Sequence, residues 1–119
     1  MAKKILVIDD DHLTTEILAT CLESEHFEVV SAADGEEGLE KAKGIKPDLI
    51  ILDILMPKMN GYTFVRRLKF DIELRHIPVI ILSGQDKMKD LFAIEGISDY
   101  LVKPLKEDEL LAKVKKYLG

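Results

Sequence analysis

Hydrophobic and polar positions fall in short alternating blocks along this chain. Five apolar runs, at residues 5–8, 27–32, 49–52, 79–82 and 100–102, are too short for helices and rich in Ile, Val and Leu, so they read as strands of a covered sheet. Between them apolar residues recur at helical spacing. Leu13, Ile17, Leu18, Cys21 and Leu22 share one side of a helix over 12–24, and Leu39 and Ala42 make a shorter stripe in a helix beginning at Asp34. Val65 and Leu68 point inward from 62–70, and Met88, Leu91 and Phe92 do so from 86–95. The last helix, 107–117, opens on Glu107, Asp108 and Glu109 and closes on Lys113, Lys115 and Lys116, the order the helix dipole prefers.

The punctuation agrees with these blocks. Asp11 reads as an N-cap, and Asp34 with Glu37 three residues on reads as a capping box. Gly44 with Pro47, then Gly96 and Gly119, read as helix stops. Strand and helix alternate five times with no repeat, linker or low-complexity stretch. The expected architecture is therefore α/β, a doubly wound five-stranded parallel sheet with right-handed crossovers, in one domain over 1–119. Ligands of such sheets sit outside the carboxyl ends of the strands.

Composition narrows the function. The 119 residues are 47% hydrophobic and 33% charged with a net charge of −5, which argues against a nucleic-acid or anionic-membrane surface. Arg66, Arg67 and Lys69 read as a solvated helix face. His12 and His26 lack metal-ligand spacing and are expected on the surface. The single cysteine, Cys21, cannot form an internal disulfide and reads as a small core residue. No run is long enough to span a membrane, and Asp9 interrupts the start too early for a signal-peptide core, so the expected location is the cytoplasm.

The candidate chemistry lies where strands end. Asp9 and Asp10 follow the first run, Asp53 the third, Ser83 ends the fourth, and Lys103 follows the fifth. Taken alone, an acid after a strand is usually a turn former. Two acidic clusters at neighbouring strand ends are harder to explain that way, because crowded carboxylates raise each other's pKa unless a cation intervenes. A hard divalent ion with oxygen ligands, and a nearby lysine, would balance them.

These residues resemble a known family. Asp9-Asp10, the D-x-x-M-P-x-x-N-G run from Asp53 to Gly61, Ser83-Gly84, and Tyr100-Leu101-Val102-Lys103-Pro104 are similar in order and spacing to the receiver domain of two-component response regulators, across essentially the whole chain. The resemblance implies strand order 2-1-3-4-5, a flavodoxin-like three-layer sandwich. It implies Asp53 as phosphoacceptor, with Asp10 a direct Mg²⁺ ligand, Asp9 acting through bound water, and Asp53 and the Leu55 backbone carbonyl completing the protein's share. Lys103 would pair with the carboxylate and then the phosphoryl group, Ser83 would donate to a phosphoryl oxygen, and Tyr100 would be the aromatic switch. The Lys103–Pro104 bond would be cis.

The same resemblance implies a signalling phosphoacceptor that assists its own phosphorylation and autodephosphorylation, not a conventional enzyme. Its donor would be a sensor histidine kinase or a histidine phosphotransfer domain. Its output would be docking of a downstream protein, with residues 86–95, the fifth strand and the last helix as the readout face, and with homodimerisation on phosphorylation left open. The interval from Ser83 to Lys103 is a couple of residues shorter than is usual in the family. Two rivals stand beside this reading. Asp9-Asp10-Asp11 superficially matches the D-x-D nucleophile of haloacid-dehalogenase-like phosphatases, although Leu13 replaces the Thr or Val expected there. The other is an interaction module that keeps the fold without phosphorylation. A flavodoxin-like electron carrier lacks support, since no Ser/Thr/Gly-rich phosphate loop follows the first strand.

Overall fold

The five apolar runs form one parallel sheet in the computed structural model, which describes residues 2–54, 59, 61–84 and 96–119. The strands are β1 (Lys4–Ile8), β2 (Glu28–Ala32), β3 (Leu49–Asp53), β4 (Val79–Ser83) and β5 (Asp99–Val102), in the order β2-β1-β3-β4-β5. Every neighbouring pair is parallel. The described helices are α1 (His12–Glu23), α2 (Gly35–Ile45), α3 (Gly61–Phe70) and α4 (Glu107–Leu118). The helix expected over 86–95 and the Leu55 carbonyl lie outside the described residues.

Side chains alternate across the sheet and so divide the core in two. Leu6, Ile8, Ile50, Leu52 and Ile81 pack with α2 and α3, while Ile5, Val7, Leu49, Ile51 and Leu82 pack with α1 and α4. Because both faces are covered, β3 and β4 are buried at every position. Their uninterrupted apolar runs are the sequence signature of that double burial.

Three local expectations need correction, and one core residue was not anticipated. Leu13 and Ile17 are 64% and 54% exposed, and α1 buries Thr15, Leu18 and Leu22 instead. The apolar stripe is wider than the face the helix turns to the sheet, so its far edge stays in solvent. Phe64, read past in the sequence, is fully buried and sits beside Val65 and Leu68 on the inner face of α3. Gly44 does not stop α2, which ends at Ile45. Lys46 takes the left-handed conformation (φ 48°) and donates its N–H to the Ala42 carbonyl, since Pro47 disfavours a further right-handed residue there. Finally, Glu37 reaches back to the Ala33 N–H (2.6 Å), one residue earlier than a capping box requires, while Asp34 accepts from the Glu37 N–H.

Other expectations hold. Asp11 caps α1 by accepting from the Leu13 N–H at 3.0 Å and the Thr14 hydroxyl at 2.9 Å. Those bonds, Thr14's first, hold its carboxyl below the usual range. Cys21 is half-buried against the α1/α4 side of the core. Burial, and then the nearby Glu107, push its thiol up to about 11, so it stays protonated at neutral pH. Both His12 and His26 are exposed. Among the described residues, no helix is long and apolar enough to cross a membrane.

Gly61 closes the loop that follows β3. Its N–H donates to the Ile54 carbonyl at 3.0 Å, and an added Cβ would lie 3.0 Å from Ile54 Cα and 3.1 Å from its oxygen. Gly44, by contrast, is exposed within a helix and an added Cβ there meets nothing within 4 Å. Urea denaturation should therefore show Gly61→Ala losing about 1–3 kcal/mol and Gly44→Ala gaining about 0.5–1 kcal/mol. Equal effects at the two positions would contradict the close approach at Ile54.

Candidate functional site

Register brings the chemistry together. Ile8 lies opposite Leu52, Asp53 opposite Leu82, and Ser83 opposite Val102, so the residues at or just beyond the carboxyl ends of β1, β3, β4 and β5 share one edge. Asp9 continues the ladder, its N–H donating to the Ala32 carbonyl at 3.1 Å. Lys103 does the same on the other side, donating its N–H to the Ser83 carbonyl at 2.8 Å. Backbone pairing therefore fixes the stems of the two residues whose side chains must meet.

They do meet. Lys103 Nζ lies 3.5 Å from Asp9 Oδ2 and 3.5 Å from Asp53 Oδ2. Both distances exceed a good charged hydrogen bond, so the ammonium is shared between the carboxylates and fully satisfies neither. Asp9 is 2% and Asp53 8% exposed, while the Lys103 side chain is about a third exposed. The other oxygen of Asp9 accepts from the Asp11 N–H at 3.0 Å. Asp10 is exposed, on the solvent side of the same edge.

One carboxylate oxygen from each of Asp9, Asp10 and Asp53 lies within 4.8 Å of the others. Among the described residues, three carboxylates stand against one ammonium, an excess of two negative charges. An all-oxygen set with that excess fits a hard divalent cation and suits a soft thiolate-seeking metal poorly. Asp11, the third acid of the run, is committed to capping α1 and does not join the cluster.

Ser83 is fully buried, and its hydroxyl donates to the Gly84 carbonyl at 3.0 Å. Tyr100 is half-buried against the α2/α3 side of the core. The Lys103–Pro104 peptide is cis. The structure thus gathers Asp9, Asp10, Asp53, Ser83 and Lys103 at one edge, with Tyr100 three residues upstream of Lys103 on β5. One residue that sequence reasoning took only for a dipole-matching cation is Lys113. Its ammonium lies 4.7 Å from the centre of the Tyr100 ring. No spacing rule links a helix cation to an aromatic on the preceding strand, so only the fold reveals the contact.

With fold and site in view, the chain belongs to the response regulator receiver domain family, whose pattern matches residues 5–115. It is 40% identical over 117 residues to the response regulator PleD of Caulobacter vibrioides, covering 97% of this chain and 26% of that protein. To the alkaline phosphatase synthesis transcriptional regulatory protein PhoP of Bacillus subtilis it is 38% identical over 120 residues, 99% of this chain and 49% of that one. The chain thus spans about a quarter to a half of the length of these relatives. Among solved structures, the receiver domain of the sensor histidine kinase PA1611 from Pseudomonas aeruginosa superposes with a TM-score of 0.91 at 26% identity, covering 100% of this chain and 99% of that one. That structure holds a magnesium ion in its active-site cleft. Receiver domains of two-component systems are signalling phosphoacceptors supplied by histidine kinases, and this chain has their fold.

Asp9 is wholly buried at its side chain, and among the described residues Lys103 is its ion-pair partner. Lys103→Met should cost about 1–3 kcal/mol, below the range for fully buried pairs because the lysine is partly solvated. Adding Asp9→Asn should recover part of that loss, which a double-mutant cycle by denaturation measures. Strictly additive effects would mean that the two groups do not interact.

Proposed function

We propose that this chain is the phosphoacceptor receiver of a cytoplasmic two-component phosphorelay, and that Asp53 receives the phosphoryl group from a phosphohistidine of a sensor histidine kinase or phosphotransfer domain. The observation that carries the proposal is the position of Asp53, at the end of a fully buried strand, 3.5 Å from the Lys103 ammonium and within the trio of acids. A carboxylate oxygen of Asp53 attacks phosphorus in line, the P–N bond to the donor imidazole breaks, and an acyl phosphate forms on Asp53. Such transfer is largely positioning and charge stabilisation.

Each residue has a part in that positioning. Lys103 swings its interaction from the Asp53 carboxylate to the equatorial oxygens of the arriving group. The Ser83 hydroxyl, which donates to Gly84 in the present arrangement, exchanges that partner for a phosphoryl oxygen. That exchange is the local event to which Tyr100 responds, and the altered face then docks a downstream protein. Asp9, Asp10 and Asp53, with the Leu55 carbonyl, would hold Mg²⁺, which when bound supplies positive charge against the phosphoryl oxygens. The acyl phosphate is labile, so the chain also returns itself to the resting state by autodephosphorylation.

The phosphatase reading needs a third acid free to act in the site, and both carboxylate oxygens of Asp11 are engaged at the α1 N-terminus. A fold-only interaction module has no use for two buried carboxylates that share a lysine beside a third acid. The experiment is incubation with acetyl phosphate and Mg²⁺, read by intact mass and oligomeric state together. Wild type should gain one phosphoryl group per chain, Asp53→Ala none, and chelation of Mg²⁺ should abolish the gain. Mg²⁺ at a hundred times its dissociation constant should also stabilise wild type by about 2.7 kcal/mol, and Asp10→Asn less. Steady hydrolysis of a phosphate monoester, or no labelling at all, would overturn the reading.

A further inference from the structure

Lys113 makes three contacts with two consecutive residues of β5. Its Nζ donates to Asp99 Oδ1 at 3.0 Å and to the Tyr100 carbonyl, and it lies over the Tyr100 ring, 4.7 Å from the centroid. Asp99 is itself held from several sides. It accepts from the Tyr100 N–H at 2.8 Å, and its other oxygen lies 3.3 Å from the Tyr117 hydroxyl and 3.9 Å from Lys116 Nζ. Burial pushes the Asp99 carboxyl up, but the bonds from Lys113 and the Tyr100 N–H outweigh it and hold the group below the usual range. It is therefore a fixed anion, and the ammonium it anchors is placed on one face of one ring.

Lys113 and Tyr117 stand four residues apart on α4, so both contacts with β5 come from one face of one helix. Strand β5 is only four residues long. Tyr100 lies opposite Ile81 and Val102 opposite Ser83, and Lys103 follows directly. The clamp at the start of the strand and the lysine after its end are thus joined by a short, fully paired segment. For the Tyr100 ring to reorient, it must leave the ammonium that Asp99 holds in place.

We propose that Lys113 is a positioning residue that holds the Tyr100 ring in its resting orientation, so that the tie between α4 and β5 sets how readily the Asp53 site accepts a phosphoryl group. The proposal rests on the receiver reading above, in which Tyr100 moves when the site is filled. Free energy spent on releasing the ring is withheld from ligand binding, and the coupling is reciprocal.

The test is titration of the full chain with beryllium fluoride in saturating Mg²⁺, a phosphoryl mimic, alongside NMR of the tyrosine rings. Lys113→Met, which keeps the stem and removes the charge, should bind the mimic about three- to fivefold more tightly and shift the Tyr100 ring resonances before any ligand is added. Lys113→Arg, which keeps a cation, should stay close to wild type. In a Tyr100→Leu background, Lys113→Met should leave the affinity unchanged, an outcome that a purely structural tie does not produce. Asp99→Asn, which loosens the ammonium without deleting it, should act in the same direction and serves if Lys113→Met does not fold. Unchanged or weaker binding in both variants, or an equal effect with and without the Tyr100 ring, overturns the proposal. If wild type itself takes up no beryllium fluoride, the receiver reading fails and this proposal falls with it. Binding in wild type with no change in the variants refutes the role of Lys113 alone.

Discussion

An unbalanced charge at the edge of a buried sheet is the constraint from which the rest of the site follows. Asp9 and Asp53 are buried carboxylates, Asp10 stands beside them, and one ammonium lies 3.5 Å from the two buried acids. Removing charged groups from water is costly, so the surplus negative charge among the described residues favours a partner that brings positive charge. A divalent cation, as proposed for this site, would relieve it directly. The phosphoryl chemistry proposed here uses the same imbalance, since the cation and Lys103 meet the negative charge that a phosphoryl group brings.

The fold supplies what that arrangement requires. Parallel strands buried on both faces cannot slip in register without moving every apolar side chain to the wrong layer, so the ends of β1, β3, β4 and β5 are set relative to one another by the core. Asp11 caps α1 and leaves Asp9 and Asp10 to face the edge, and the close approach of Gly61 to Ile54 holds the start of α3 against the residue that follows Asp53. Stability and chemistry thus share residues. In the proposed function the contacts that change, those of Ser83, Lys103 and Tyr100, lie on β4, on β5 and just past the end of β5.

Much of this was legible in the sequence, for physical reasons. A double-buried strand has to be apolar throughout, so Ile50, Ile51 and Leu52 announced a central strand and Asp53 announced its end. Short acceptor side chains at helix starts identified the Asp11 and Asp34 caps, because few other residues can satisfy those N–H groups. Periodicity shows that a helix has an apolar side without fixing how much of that side is covered. Leu13 and Ile17 were therefore assigned to the core although they face solvent. The left-handed Lys46 was equally hidden, since its conformation depends on the proline after it more than on its own side chain. Lys113 was illegible for a third reason: its meaning comes from Asp99 and Tyr100, which only tertiary packing places beneath it.

The central claim is that Asp53, among the three acids of the cluster, is the group that becomes modified. Protein phosphorylated with acetyl phosphate and Mg²⁺ can be reduced with borohydride, which converts an aspartyl phosphate to homoserine, and then sequenced by mass spectrometry. The account predicts homoserine at position 53 and unmodified aspartate at positions 9 and 10. Conversion at Asp9 or Asp10, with Asp53 left intact, would contradict it.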